Sequence, residues 1–128
     1  MRFATCLNCI DGRTQLPVLN WIRERYRFEF VDLITEPGIA GSLINNSSAA
    51  SSIVQKVDIS LEKHRSRYIF VAGHHDCAAY NGDDRRHKKD LDLALERIML
   101  LFPAVQAIGL WVNENWEIEE TGDYLTPT

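Results

Sequence analysis

The chain has 128 residues, 45% of them hydrophobic and 25% charged, with a formal net charge of -4. These are ordinary values for a soluble globular protein, and the size fits one domain, residues 1–128, with a core that needs no disulfide staples. The acidic balance argues against a general nucleic-acid binder, and no apolar stretch approaches the roughly 20 residues of a membrane span.

Phe3 to Ile10 is mostly apolar and stops at Asp11-Gly12-Arg13, which reads as a buried first strand. Thr14 can cap the helix that follows, with Pro17 in its first turn and Leu16, Leu19, Trp21, Ile22 and Tyr26 as its apolar residues. Phe28 to Ile34 predicts a second strand covered on both faces. Thr35-Glu36-Pro37-Gly38-Ile39-Ala40-Gly41-Ser42 is rich in breakers and reads as a loop. Ser47 or Ser48 can cap a helix carrying Ala50, Ile53, Val54, Val57 and Leu61 at helical spacing and fading near His64. Tyr68 to Ala72 is the third strand. It runs directly into Gly73-His74-His75-Asp76-Cys77. A helix over about Arg86 to Phe102 follows, with the charged run Arg85–Lys89 as its solvated start, and Pro103 ends it. Ala104 to Val112 predicts a fourth strand and Trp116 to Glu119 a short fifth.

Strand and helix alternate, so the expected fold is α/β: an open, mainly parallel sheet of four to five strands with helices on both faces. Ligands of such sheets sit beyond the carboxyl ends of the strands. Two of those ends carry Cys9 and the pair His74 and Cys77, which meet if their strands are neighbours. Two thiolates and an imidazole are a three-ligand set for Zn2+, leaving a fourth position for water, whose pKa falls from about 15.7 to about 7 on the ion. Asp11, two residues from Cys9, lies on the same side of an extended segment. Arg13 can hold it by a bidentate pair, so that the carboxylate orients the hydroxide. If Arg13 lets go, Asp11 is a candidate fourth ligand that would shut the site.

Cys9-x-Asp11-x-Arg13 followed by Gly73-His74-x-x-Cys77 resembles the β-class carbonic anhydrase family, as do Gly109-Leu110-Trp111-Val112 and Glu120-Thr121-Gly122. The chain is similar in particular to a group of short carbonic anhydrase-like proteins that share Asp11-Gly12-Arg13, Thr35-Glu36-Pro37-Gly38 and His74-x-Asp76-Cys77. The resemblance implies zinc on Cys9, His74 and Cys77, an Asp11–Arg13 catalytic dyad, and hydration of carbon dioxide to bicarbonate. Thr35-Glu36-Pro37-Gly38-Ile39 stands where the family usually has Arg-Asn-Ala-Gly-Asn, and Ala78 stands in place of a Gly. The altered loop keeps two rivals in play: a non-catalytic zinc protein that binds a small anion, and a zinc hydrolase of another small electrophile such as carbon disulfide or carbonyl sulfide. A homodimer is expected, since a site at a sheet edge is otherwise open to water.

Cys6 forms a C-x-x-C with Cys9, but residues three apart on a strand face opposite sides, which argues against a closed zinc site with Cys6 as fourth ligand. The odd count of three cysteines and the lack of an apolar leader core set the expectation of a reducing, cytoplasmic location. His75 reads as an exposed loop residue with a secondary role as proton shuttle. Asp76 is expected to cap a short helix near Cys77, Glu36 to be a pocket acid or a solvated turn residue, and Trp111 and Trp116 to be core or interface aromatics.

Overall fold

Side-chain parity along the strands dictates the layers. In β1 (Phe3–Asn8) Ala4 and Cys6 enter one apolar cluster and Leu7 the other; in β3 (Tyr68–His74) Phe70 and Ala72 oppose Ile69 and Val71 in the same way. Strands apolar on both faces need cover on both. Helix α1 (Gly12–Tyr26) supplies Val18 and Ile22 to the first face. Helices α2 (Ile39–Ile44), α3 (Ser48–Lys63) and α4 (Asp84–Leu101) supply Leu43, Ile53, Val57, Leu91, Leu95 and Ile98 to the second. Each such side chain, fully buried, contributes about 1.5–3 kcal/mol.

The computed structural model describes residues 2–127. Its sheet has five strands in the order β2-β1-β3-β4-β5, with β2 (Phe30–Thr35), β4 (Gln106–Val112) and β5 (Ile118–Leu125) completing the set. The first four are parallel and β5 returns antiparallel beside β4. The expected α/β architecture is therefore the observed one, and β1 lies next to β3, as the proposed meeting of their ends requires. The β4–β5 approach is close: a Cβ on Gly109 would stand 2.3 Å from Thr121 Oγ1 and 2.6 Å from a Leu95 methyl. No described helix is long and apolar enough to cross a membrane.

Local chemistry moved several boundaries. Helix α1 begins at Gly12 because Asp11, not Thr14, is its cap: the Asp11 carboxylate accepts from the Arg13 amide at 2.9 Å. Thr14 instead donates its hydroxyl to the Asp11 carbonyl at 2.8 Å, and Pro17 stands inside the helix. The stretch after β2 is not all loop. Pro37 and Gly38 precede a helix rather than break one, and α2 forms because Ile39, Ala40 and Leu43 can be buried together. Ser47 caps α3 as expected, accepting from the Ala50 amide. Phe28 falls outside β2 and packs with Tyr26, Tyr68 and Phe70. Trp116 belongs to the β4–β5 turn, so β5 starts later and runs longer than its apolar residues suggest.

Candidate metal centre

The site lies at the ends of β1 and β3. Cys9 follows the last residue of β1, His74 is the last of β3, and Cys77 opens the short 3-10 turn Ala78–Tyr80. All three side chains are buried, and their ligand atoms lie within 4.8 Å of one another. The sulfurs of Cys9 and Cys77 are 4.0 Å apart. Two thiolates on one tetrahedral zinc at a Zn–S distance of about 2.3 Å would be about 3.8 Å apart, so the pair is already spaced for a shared ion.

The imidazole is set for the same task. His74 Nδ1 is 2.7 Å from the His75 carbonyl, which can only accept, so the proton sits on Nδ1 and Nε2 presents its lone pair. Nε2 is buried without a hydrogen-bond partner. An orphaned ring nitrogen costs about 1–3 kcal/mol unless something takes its lone pair, and a soft cation facing two sulfurs fits that need. Burial disfavours a charge on His74, but the Cys9 sulfur and the His75 carbonyl outweigh it and hold its pKa above the ordinary value. The contact between the two thiols pulls the Cys9 pKa down and pushes the Cys77 pKa up. The Gly38 amide adds a bond to Cys9 Sγ at 3.4 Å, and Gln15 Nε2 holds the Cys9 carbonyl at 2.8 Å.

Cys6 is in the other apolar layer, and burial pushes its thiol up to about 12. It is not one of the clustered donors, and neither is Glu36.

Asp11 and Arg13 form the expected pair. Arg13 Nη2 is 2.7 Å from Asp11 Oδ2 and Arg13 Nε is 3.1 Å from Oδ1. The Arg13 hydrogen bonds hold the Asp11 carboxyl at about 2, well below the usual carboxylate range. Asp11 Oδ2 is 4.0 Å from His74 Nε2, which puts an ionised acceptor at the rim of the cluster. Arg13 is gripped from further sides. It donates to the Asp76 carbonyl at 3.1 Å and to the Asp76 carboxylate at 3.3 Å, and its guanidinium carbon sits 4.6 Å from the centre of the Trp116 ring. Asp76 thus faces Arg13 and caps no helix; the 3-10 turn has no side-chain cap.

Other neighbours were not evident from the sequence. Asp84 accepts from the Asp76 amide at 3.0 Å and sits 2.6 Å from His75 Nδ1, so the half-exposed His75 is a fixed side chain. His87, placed by its neighbours in a solvated charge run, is buried. Its ring stacks on Tyr80 at 4.0 Å and meets His74 and Trp111 edge-on. The signal for this was its spacing, since His87, Leu91, Ala94 and Ile98 make one helical stripe. Tyr80 also donates to Asp90 at 2.8 Å. With Gly38 it separates the sulfurs from an open depression of about 310 Å³ that Arg86 and Asp90 also line.

A family model described as "Putative carbonic anhydrase" matches residues 1–122. The chain belongs to that carbonic anhydrase family. Among solved structures, the fold is similar to one of two tetrameric β-carbonic anhydrases from the filamentous ascomycete Sordaria macrospora. That match has a TM-score of 0.63 at 10% identity and covers 92% of this chain and 80% of the other. None of the curated proteins matches the sequence.

Proposed function

We propose that this carbonic anhydrase family member is a single zinc domain that hydrates carbon dioxide to bicarbonate, with Cys9, His74 and Cys77 holding the ion and Asp11 and Arg13 as the catalytic dyad. The observation that carries the reading is the buried Cys-His-Cys cluster with an ionised, arginine-held carboxylate at its rim. Bound there, zinc supplies a nucleophile at neutral pH by lowering the pKa of water from about 15.7 to about 7.

The chain's own residues do the rest. His74 and the two thiols would hold the ion, since all three are buried and lie at or just beyond the ends of two adjacent strands. Asp11 is ionised at neutral pH and can only accept, so it demands a hydroxyl donor in front of it. A group donating to Asp11 Oδ2 has its remaining lone pair turned away from the carboxylate, toward an incoming carbon atom. The product keeps that donor: bicarbonate retains one hydroxyl, whereas carbonate would offer Asp11 no hydrogen and a second negative charge. Arg13 spends its donors on Asp11 and Asp76, so its task is to fix Asp11 in place. Association with a second copy as a homodimer belongs to the same proposal. A cytoplasmic location is part of the same proposal.

Stopped-flow hydration of carbon dioxide, on protein of measured zinc content, tests the reading. Wild type should exceed the buffer rate in proportion to zinc, and Asp11→Ala should keep zinc and lose most of the rate. Full zinc with no rate above buffer would remove the hydration and leave metal binding.

A further inference from the structure

Six non-glycine residues sit in the left-handed backbone region, and two of them, Asp76 at φ 57° and Trp116 at φ 60°, lie against Arg13. Asp tolerates that region. A bulky aromatic does so at a cost, and a hairpin turn offers Gly or Asn as cheaper choices. The turn itself does not call for an indole: the Asn113 carbonyl and carboxamide organise it by accepting from the Trp116, Asn115 and Glu117 amides. Such outliers persist where the side chain is needed for something else. Both of these residues converge on Arg13. Asp76 accepts from it through carbonyl and carboxylate, and the Trp116 ring lies 4.6 Å from the guanidinium carbon. The indole also meets the ring of His75, which Asp84 fixes.

From this geometry, and resting on the zinc reading above, we infer that Trp116 is a positioning residue: its ring holds Arg13 on Asp11 and so keeps the Asp11 carboxylate off the metal. The alternative place for that carboxylate is close. Asp11 Oδ2 is 4.0 Å from the buried lone pair of His74, so a side-chain rotation brings it to the ion that His74 would share with the sulfurs. Arg13 is 46% exposed and long, with many rotamers available. A planar aromatic surface restricts them, because a guanidinium stacks on it flat and keeps its in-plane donors aimed at Asp11. Trp116 also packs against the apolar layer beneath α1, which helps to fix the ring.

The test uses cobalt(II)-loaded full-length protein and inorganic azide, reading the cobalt d–d absorption rather than turnover. Azide perturbs that spectrum only where a ligand position can be exchanged. Trp116→Asn removes the ring and relieves the left-handed strain, so the turn should survive; Trp116→Leu carries the same test if Asn does not fold. Either variant should take up cobalt fully yet bind azide about tenfold more weakly, the size of effect a partly desolvated cation–π contact carries. Trp116→Phe, which keeps a ring face, should stay close to wild type. Adding Asp11→Ala to the Asn variant should restore azide binding, because the competing ligand is gone. Wild-type azide affinity in Trp116→Asn and Trp116→Leu would overturn the inference while leaving the zinc reading intact. So would a loss that Asp11→Ala does not restore. Failure of the wild type to bind cobalt would overturn the zinc reading, and this inference with it.

Discussion

His87 gives the site a pH-dependent weakness that can be calculated. Its ring is 1% exposed, and neither nitrogen has a hydrogen-bond partner that meets ordinary geometry. Burial first, and then charge on His74, lower its pKa from 6.5 to about 4; a weak approach to the His74 backbone does not offset them. The unfolded chain therefore takes up a proton that the folded one refuses. Stability present above pH 6.5 is lost as pH falls toward 4, and little more is lost below that. Two-state linkage gives a loss of about 2 kcal/mol between pH 7.5 and 5, out of about 3 kcal/mol in all. His87→Leu removes the titration. It also removes two unsatisfied nitrogens, each costing about 1–3 kcal/mol, against ring contacts with Tyr80 and Trp111 worth about 0.5–1.5 kcal/mol each, so the variant should be as stable as wild type or more so at pH 7.5. Urea unfolding of metal-free protein at pH 7.5 and 5.0 is the assay. With a slope of about 1–3 kcal/mol per molar, the wild-type midpoint should fall by about 1 M more than the variant's. Equal falls in the two proteins would refute the reasoning.

Three further outcomes follow from the packing and the donor set. Cys77→Ala should lose bound zinc, measured by elemental analysis after dialysis, because one sulfur and one imidazole are too few to hold it; full occupancy would mean the ligand set is wrong. Removing zinc with a chelator should lower Tm by roughly 10 °C relative to protein at 100 times its zinc Kd, where binding to the native state is worth about 2.7 kcal/mol. An unchanged Tm in calorimetry would show that the cluster is not a binding site in the folded state. Gly109→Ala should destabilise by about 1–3 kcal/mol in chemical denaturation, because its methyl would meet Thr121 Oγ1 and Leu95 between two strands that cannot easily separate.

Most of the fold was legible because the strands announce themselves. Runs such as Tyr68 to Ala72 are apolar on both faces and stop at glycine or aspartate, so alternation with helices left little freedom in topology. The cluster was legible for the same reason: each donor follows such a run within a residue or a few. What escaped the sequence depended on distance in space rather than spacing along the chain. Helix α2 was hidden because Pro37 and Gly38 break a helix or start one, and only the burial of Ile39, Ala40 and Leu43 against α4 decides which. His87 was masked by its charged neighbours, although its position on the Leu91 and Ile98 stripe pointed inward. Asp84 and Trp116 reach Asp76, His75 and Arg13 across turns whose geometry no local pattern specifies. Asp11 as helix cap was masked by Thr14, an equally good cap residue three positions on.

That double use of Asp11 ties two scales of the protein together. One of its oxygens closes the first turn of α1 by taking the Arg13 amide; the other faces the buried histidine nitrogen 4.0 Å away. A carboxylate that turns toward the sulfurs strains that amide hydrogen bond, so the state of a few atoms bears on the start of a helix. Hydrogen exchange at the Arg13 backbone then becomes a gauge of where Asp11 points, readable without a substrate or a chromophore.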